Sequence, residues 1–148
     1  MTHKTVCISR RLEEMNQRAD NWAGLLAEYV AAKRDTPFKW GVHDCGSFAA
    51  EWVGLATGRD VFAPWRGKYS TRWGAFRYIL GAGGMDRFPA KVGLKPCPPK
   101  RMQRGDIASI PTTRGIALGV CIGKAIVAPG THGLEFLSTK RARHAWRV

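Results

Sequence analysis

The sequence predicts an α+β domain in which helices pack on a small antiparallel sheet. Three observations lead there. Apolar residues recur at helical spacing in three separate stretches of the first two thirds. In the last third the period shortens to alternating runs broken by glycine-containing turns. The chain has 148 residues, 45% of them apolar, which suits one domain with a genuine core and is too apolar for a disordered chain. Helices first and a meander afterwards is the order expected of α+β rather than of alternating α/β units.

Residues 10–33 read as an amphipathic helix. Leu12, Met15, Ala19, Trp22, Leu25, Leu26, Tyr29 and Val30 make its apolar stripe, and Ser9 is the expected cap. Glu13, Glu14, Arg18, Asp20 and Glu28 make its polar face. Thr36-Pro37 ends it, because the residue before proline avoids helical geometry. The second helix runs from Cys45 to about Thr57, with Asp44 at the N-cap and Gly58 at the C-terminal glycine position. Phe48, Ala49, Trp52, Leu55 and Ala56 form its expected buried stripe.

Residues 59–70 form a loop containing Pro64, Trp65, Gly67 and Tyr69. A third helix reads from Thr71 to Leu80, with Trp73, Phe76, Ile79 and Leu80 as its apolar positions. Residues 85–103 are mixed and contain the turn Pro96-Cys97-Pro98-Pro99. Strands are then expected at 106–110, 116–122, 124–128 and 134–137.

The net charge is +13, and it is unevenly placed. Residues 1–36 carry 6 basic and 5 acidic side chains, residues 37–100 carry 10 and 4, and residues 101–148 carry 8 and 2. The densest run is Lys140 to Arg147. Such a surface suits nucleic acid or another polyanion, or an acidic protein partner in an assembly. No zinc-finger spacing, helix-turn-helix signature or aromatic RNA-binding motif accompanies it. No run approaches the ~18 apolar residues of a membrane span. The first residues lack the apolar core of a secretory signal, so synthesis in a cytoplasm is expected.

Cys7, Cys45, Cys97 and Cys121 are far apart in sequence, so no Cys-x-x-Cys site exists. No cofactor is expected. An iron–sulfur or zinc site assembled from the scattered cysteines is the alternative, and disulfides are not expected in a reducing compartment. Cys121 reads as a small buried apolar residue.

Cys45 is the residue that chemistry could use. A cysteine on the first turn of a helix meets amide dipoles that favour thiolate. It becomes a nucleophile if a histidine from elsewhere reaches it. Without such context it is simply a small buried side chain.

The stretch Phe38-x-Trp40-Gly41-x-x-Asp44-Cys45-x-x-Phe48, with Trp52 following, resembles the nucleophile motif of the NlpC-type papain-fold peptidases. Arg104-Gly105-Asp106-Ile107 and Leu118-Gly119-Val120-Cys121-Ile122-Gly123 resemble two of that family's sheet strands. The pattern as a whole is similar to a family of phage tail-associated proteins. It shares Gly58-Arg59-Asp60, Arg66-Gly67-x-Tyr69, Gly133-Leu134 and Ala145-Trp146-Arg147-Val148. The resemblance spans 37–148 and implies a papain-like, NlpC-type α+β domain there. Residues 1–36 would be an added arm and amphipathic helix.

The resemblance also implies a catalytic histidine at the position of Ala117 and a third polar residue at the position of Val127. Neither residue can accept a proton. A free thiol has a pKa of ~8.5 and is only a few per cent ionised at neutral pH. General-base help, worth ~10²–10⁴-fold, would be missing. His43 is the best substitute, although a loop histidine bonding the helix start is its simpler role. His3, His132 and His144 belong to the arm, a turn and the basic run. Asp44 is expected to cap, and Asp106 to shape the start of its strand.

The expected function is therefore a structural component of a tailed-phage virion, in the tail-tip or hub region, built on an inactive peptidase fold. Its expected partners are other tail proteins, or DNA at the end of the tube, with no membrane insertion. It would be made in the host cytoplasm. The alternative is an active thiol peptidase or amidase acting on cell-wall peptides during genome entry, with Cys45 as nucleophile and His43 as base.

Overall fold

The computed structural model describes residues 18–148. Four helices precede and flank a six-stranded antiparallel sheet: α1 (Trp22–Lys33), α2 (Cys45–Thr57), α3 (Arg72–Gly81), the short α4 (Phe88–Lys91), then β1 (Lys95–Cys97), β2 (Ile107–Thr112), β3 (Gly115–Cys121), β4 (Ala125–Gly130), β5 (Gly133–Ser138) and β6 (His144–Arg147). The strand order is β1-β6-β2-β3-β4-β5. The chain is thus α+β, with the expected meander at β2–β5.

Two strands were not legible. The basic run 140–147 was expected as a charged tail. Instead Thr139–Arg141 make a 3₁₀ turn and His144–Arg147 form β6, inserted between β1 and β2. Ala145 and Trp146 are buried there, whereas Lys140, Arg141 and Arg143 stay exposed. β1 carries Pro96 opposite Trp146, tolerated because β1 is an edge strand.

α1 is shorter than its periodicity suggested. Its expected first half, with Ser9, Leu12 and Met15, lies outside the described residues. Within them, residues 18–21 are not helical: the Ala19 amide donates to the Ala56 carbonyl at 2.6 Å, and Asn21 occupies the N-cap position. Leu26 and Tyr29 are buried against α2, where the Tyr29 hydroxyl donates to the Phe48 carbonyl at 2.8 Å.

α2 begins and ends where expected. Asp44 and Ser47 form a reciprocal capping box, and Gly58 closes the helix at φ 75°. The helix is covered on several sides. Ser47, Phe48, Ala49, Ala50, Trp52, Val53 and Ala56 are all buried, whereas Leu55 is exposed, contrary to expectation. Trp52 is wholly buried and still satisfies its indole, which donates to the Gly105 carbonyl at 2.8 Å.

The sheet has two faces. Ile107, Leu118, Val120 and Val127 join the helices in the main core. Ala108, Ile110 and Ile126 form a smaller cluster on the other face, covered by Met102, Leu137 and Ala142. The alternation is the ordinary consequence of strand pleating. At Gly119 a Cβ would collide with the Ile126 side chain and come within 2.9 Å of the Val127 carbonyl, so the strand needs glycine there to approach β4.

One ionic knot ties the ends of the described chain together. Asp106 is fully buried and accepts from Arg18 at 2.7 Å, from Arg147 at 3.3 Å and from the Gln103 amide at 2.8 Å. Arg18 also donates to the carbonyls of Arg104 and Val148. The expected turn-shaping role of Asp106 is visible in the Gln103 bond. The two arginines are its additional partners.

Candidate functional site

The site is built outward from the first turn of α2. The segment before it makes a tight loop in which Lys39 and His43 exchange backbone hydrogen bonds. Gly41 has φ 79°, and a Cβ there would run into the Tyr69 carbonyl, so both backbone angle and space demand glycine. Asp44 follows in an extended conformation. Its Oδ1 accepts from the Ser47 amide at 2.7 Å. Its Oδ2 accepts from the Gly41 amide at 2.8 Å and the Tyr69 hydroxyl at 2.7 Å. One buried carboxylate thereby joins the loop, the helix start and the 59–70 segment. Burial and the bond to Asp44 both push the Tyr69 phenol up, so it stays a donor.

The 59–70 segment has its own anchors. Arg66 pairs with Asp60 through two nitrogen–oxygen contacts, 2.6 and 2.8 Å. Arg59 donates to the Val92 carbonyl at 2.8 Å. These contacts lie in the segment that carries Phe62, Trp65 and Tyr69, three of the aromatic residues lining the cavity beside Cys45.

Cys45 is half-buried and lines a small cavity of about 40 Å³. Trp40, Phe62, Trp65, Tyr69, Met85 and Phe88 are among its lining, and α3 contributes Ala75 and Ile79 from above. The thiol is pushed up to about 11. Desolvation is the main cause, and the Asp44 charge adds to it. Backbone amides of Leu118, Gly46 and Cys45 itself oppose the rise without cancelling it. The helix start therefore does lower the thiol, as first-turn dipoles should, but burial among aromatic rings outweighs it.

His43 points elsewhere. Its ring packs edge-on against Phe48 at 5.8 Å and is 2% exposed. Neither ring nitrogen has a hydrogen-bond partner, contrary to the expected bond to the helix start. The charged groups acting on it are Lys33 on α1, Glu51 on α2 and the neighbouring Asp44; burial dominates and lowers its pKa. No histidine among the described residues lines the Cys45 cavity. His132 lies in a separate open groove beside Arg34 and Asp35, and His144 packs near Trp146.

The pleat of β3 decides what faces Cys45. Ala117 pairs with Ile110, a residue of the far sheet face. A side chain at 117 therefore points away from α2 and Cys45. The β3 residues that face the helix are Ile116, Leu118 and Val120, all apolar. Val127 lies on the helix face and is fully buried. Strand pairing and pleat decide which residues of β3 look toward α2.

Among the described residues, no three His, Cys, Asp or Glu side chains come together as a metal site. Cys7 lies outside them. No described helix is long and apolar enough to cross a membrane. Tyr69 as partner of Asp44, and the cavity-lining Met85 and Phe88, were not singled out as site residues from sequence. Only the Gly67-x-Tyr69 pattern hinted at the first of them.

The chain belongs to the family described as a domain of unknown function, DUF6950, whose model matches residues 17–148. No curated protein matches it.

Proposed function

We propose that this chain is a papain-like domain of NlpC type that has given up catalysis and serves as a structural component of a tailed-phage virion, in the tail-tip or hub region. The observation that carries the loss of catalysis is the environment of Cys45. A nucleophilic thiol needs a base within ~2.6–3.2 Å and a lowered pKa. Here the helix-facing residues of β3 are apolar, the thiol is pushed up to about 11, and His43 turns toward Phe48. The site's polar groups are spent on architecture: both oxygens of Asp44 are occupied.

The papain-like assignment is supported by a cysteine on the first turn of a central helix packed on an antiparallel sheet. The virion role rests on the sequence resemblance together with a basic, catalytically quiet domain suited to docking. Mass spectrometry of purified particles of the encoding phage tests that role. The chain is expected in the particles, and particles assembled without it are expected to have defective tail tips. Complete particles that lack the chain overturn the reading. Hydrolysis of cell-wall peptides by the purified chain, abolished in Cys45→Ala, would instead establish the thiol hydrolase.

A further inference from the structure

α3 buries one side and leaves the other bare. Ala75 is buried and Ile79 half-buried over the Cys45 cavity. On the outer side Trp73 is 76% exposed, Phe76 47% and Leu80 60%. Their spacing of three and four residues puts them on one stripe, and the Trp73 and Phe76 rings meet edge-on at 6.2 Å. Exposing these three costs solvation that a helix could avoid with polar residues, so an apolar strip of this kind points to a contact surface.

Charge defines what fits it. At 100° per residue, Arg72 and Arg77 fall about 70° to either side of the stripe's centre. Both are exposed. α3 contains no acidic residue, and the nearest acids in sequence are engaged: Asp60 by Arg66, and Asp86 by Arg143 at 3.8 Å. The strip is therefore apolar along its centre and basic on both borders. Trp and Arg are also the residue types that most often dominate binding energy at protein interfaces.

We infer that the outer face of α3, through Trp73, Phe76 and Leu80 flanked by Arg72 and Arg77, is the docking surface for an acidic amphipathic segment of another protein in the assembly. This rests on the assembly role proposed above and names the partner's chemistry. A second copy does not fit face to face, because that would set two basic borders against each other on molecules that each carry +13. The strip is one helix wide and three side chains long, which a single partner helix matches.

The test is photocrosslinking from p-benzoylphenylalanine placed at position 73 of the full chain, co-expressed with the other tail proteins of its genome. Cross-linked peptides are mapped by mass spectrometry. The expected products are segments of one partner that combine an apolar strip with Asp or Glu. Arg72→Glu and Arg77→Glu should each lower the cross-link yield about tenfold, as loss of an interfacial charge pair does, with circular dichroism unchanged. Cross-links to a second copy, to nucleic acid or to uncharged segments overturn the inference, as does an absence of cross-links or a yield indifferent to charge reversal. Co-sedimentation of the chain with phosphatidylserine vesicles, lost in Trp73→Ser, also overturns it in favour of a lipid surface. Because co-expression does not require particles, failure of the surface is separable from failure of the virion role, which particle composition decides.

Discussion

The Tyr69 hydroxyl donates to Asp44 Oδ2 at 2.7 Å, across 25 residues of sequence. This bond fastens the aromatic wall of the cavity to the start of α2. Asp44 is 2% exposed, so its removal strands donors rather than returning them to water. Asp44→Ala should cost about 2–4 kcal/mol, combining a lost cap of about 0.5–2 kcal/mol with unpaired buried donors at about 1–3 kcal/mol. Tyr69→Phe should cost only about 0.5–1.5 kcal/mol. Urea denaturation of both variants and the double mutant checks this; additive effects would show that the pair is uncoupled.

Cys45 should alkylate slowly. With the thiol near 11, about one molecule in 10⁴ is ionised at pH 7. Iodoacetamide labelling of native protein, followed at Cys45 by mass spectrometry, should rise steadily with pH and show no plateau below pH 10. The same shift has a stability consequence. The folded state keeps a proton that the unfolded chain loses above ~8.5, so stability falls as pH climbs from there toward 11. Cys45→Ala should flatten that alkaline limb.

His43 sets the opposite slope on the acid side. Burial lowers its folded pKa below the model-peptide 6.5, so between the two values the unfolded chain binds the extra proton. Stability should fall as pH drops through ~6.5, by at most about 1.4 kcal/mol per pH unit for one proton. Thermal denaturation between pH 7.5 and 5 measures it. His43→Leu removes the titrating group and should reduce the slope.

The pleat of β3 can be tested chemically. Ile116→His places an imidazole on the helix-facing side, and Ala117→His places one on the far face. The first should lower the apparent pKa of Cys45 alkylation. The second should leave the profile unchanged. Equal effects from both would contradict the assigned strand register.

Arg18 should prove structural although it stands before α1. Asp106 is fully buried and Arg18 supplies its shortest ion pair. Breaking such a pair leaves an uncompensated charge and typically costs about 3–5 kcal/mol. Arg147 remains within 3.3 Å, which places Arg18→Ala at the lower end. A melting-temperature comparison with Arg18→Lys separates the lost charge from the lost fork of hydrogen bonds to Arg104 and Val148.

The sequence by itself determined the fold class, the extent of α2, its capping residues and the β2–β5 meander. These follow from local rules: apolar period, side-chain capping and glycine at turns act within a few residues of chain. It also marked Cys45 as the one cysteine on a helix start. Tertiary structure decided the rest. Residues 140–147 look like a charged tail because Ala145 and Trp146 show their burial only when β1 and β2 close around them. Trp73, Phe76 and Leu80 look like core by composition, yet no element among the described residues covers them. The thiol shows the division most clearly. Its place on the helix dipole could be read from Asp44-Cys45. Its rise to about 11 comes from burial among residues as far along the chain as Phe88, brought together by packing, and that desolvation outweighs the backbone amides of Leu118, Gly46 and Cys45 that favour thiolate.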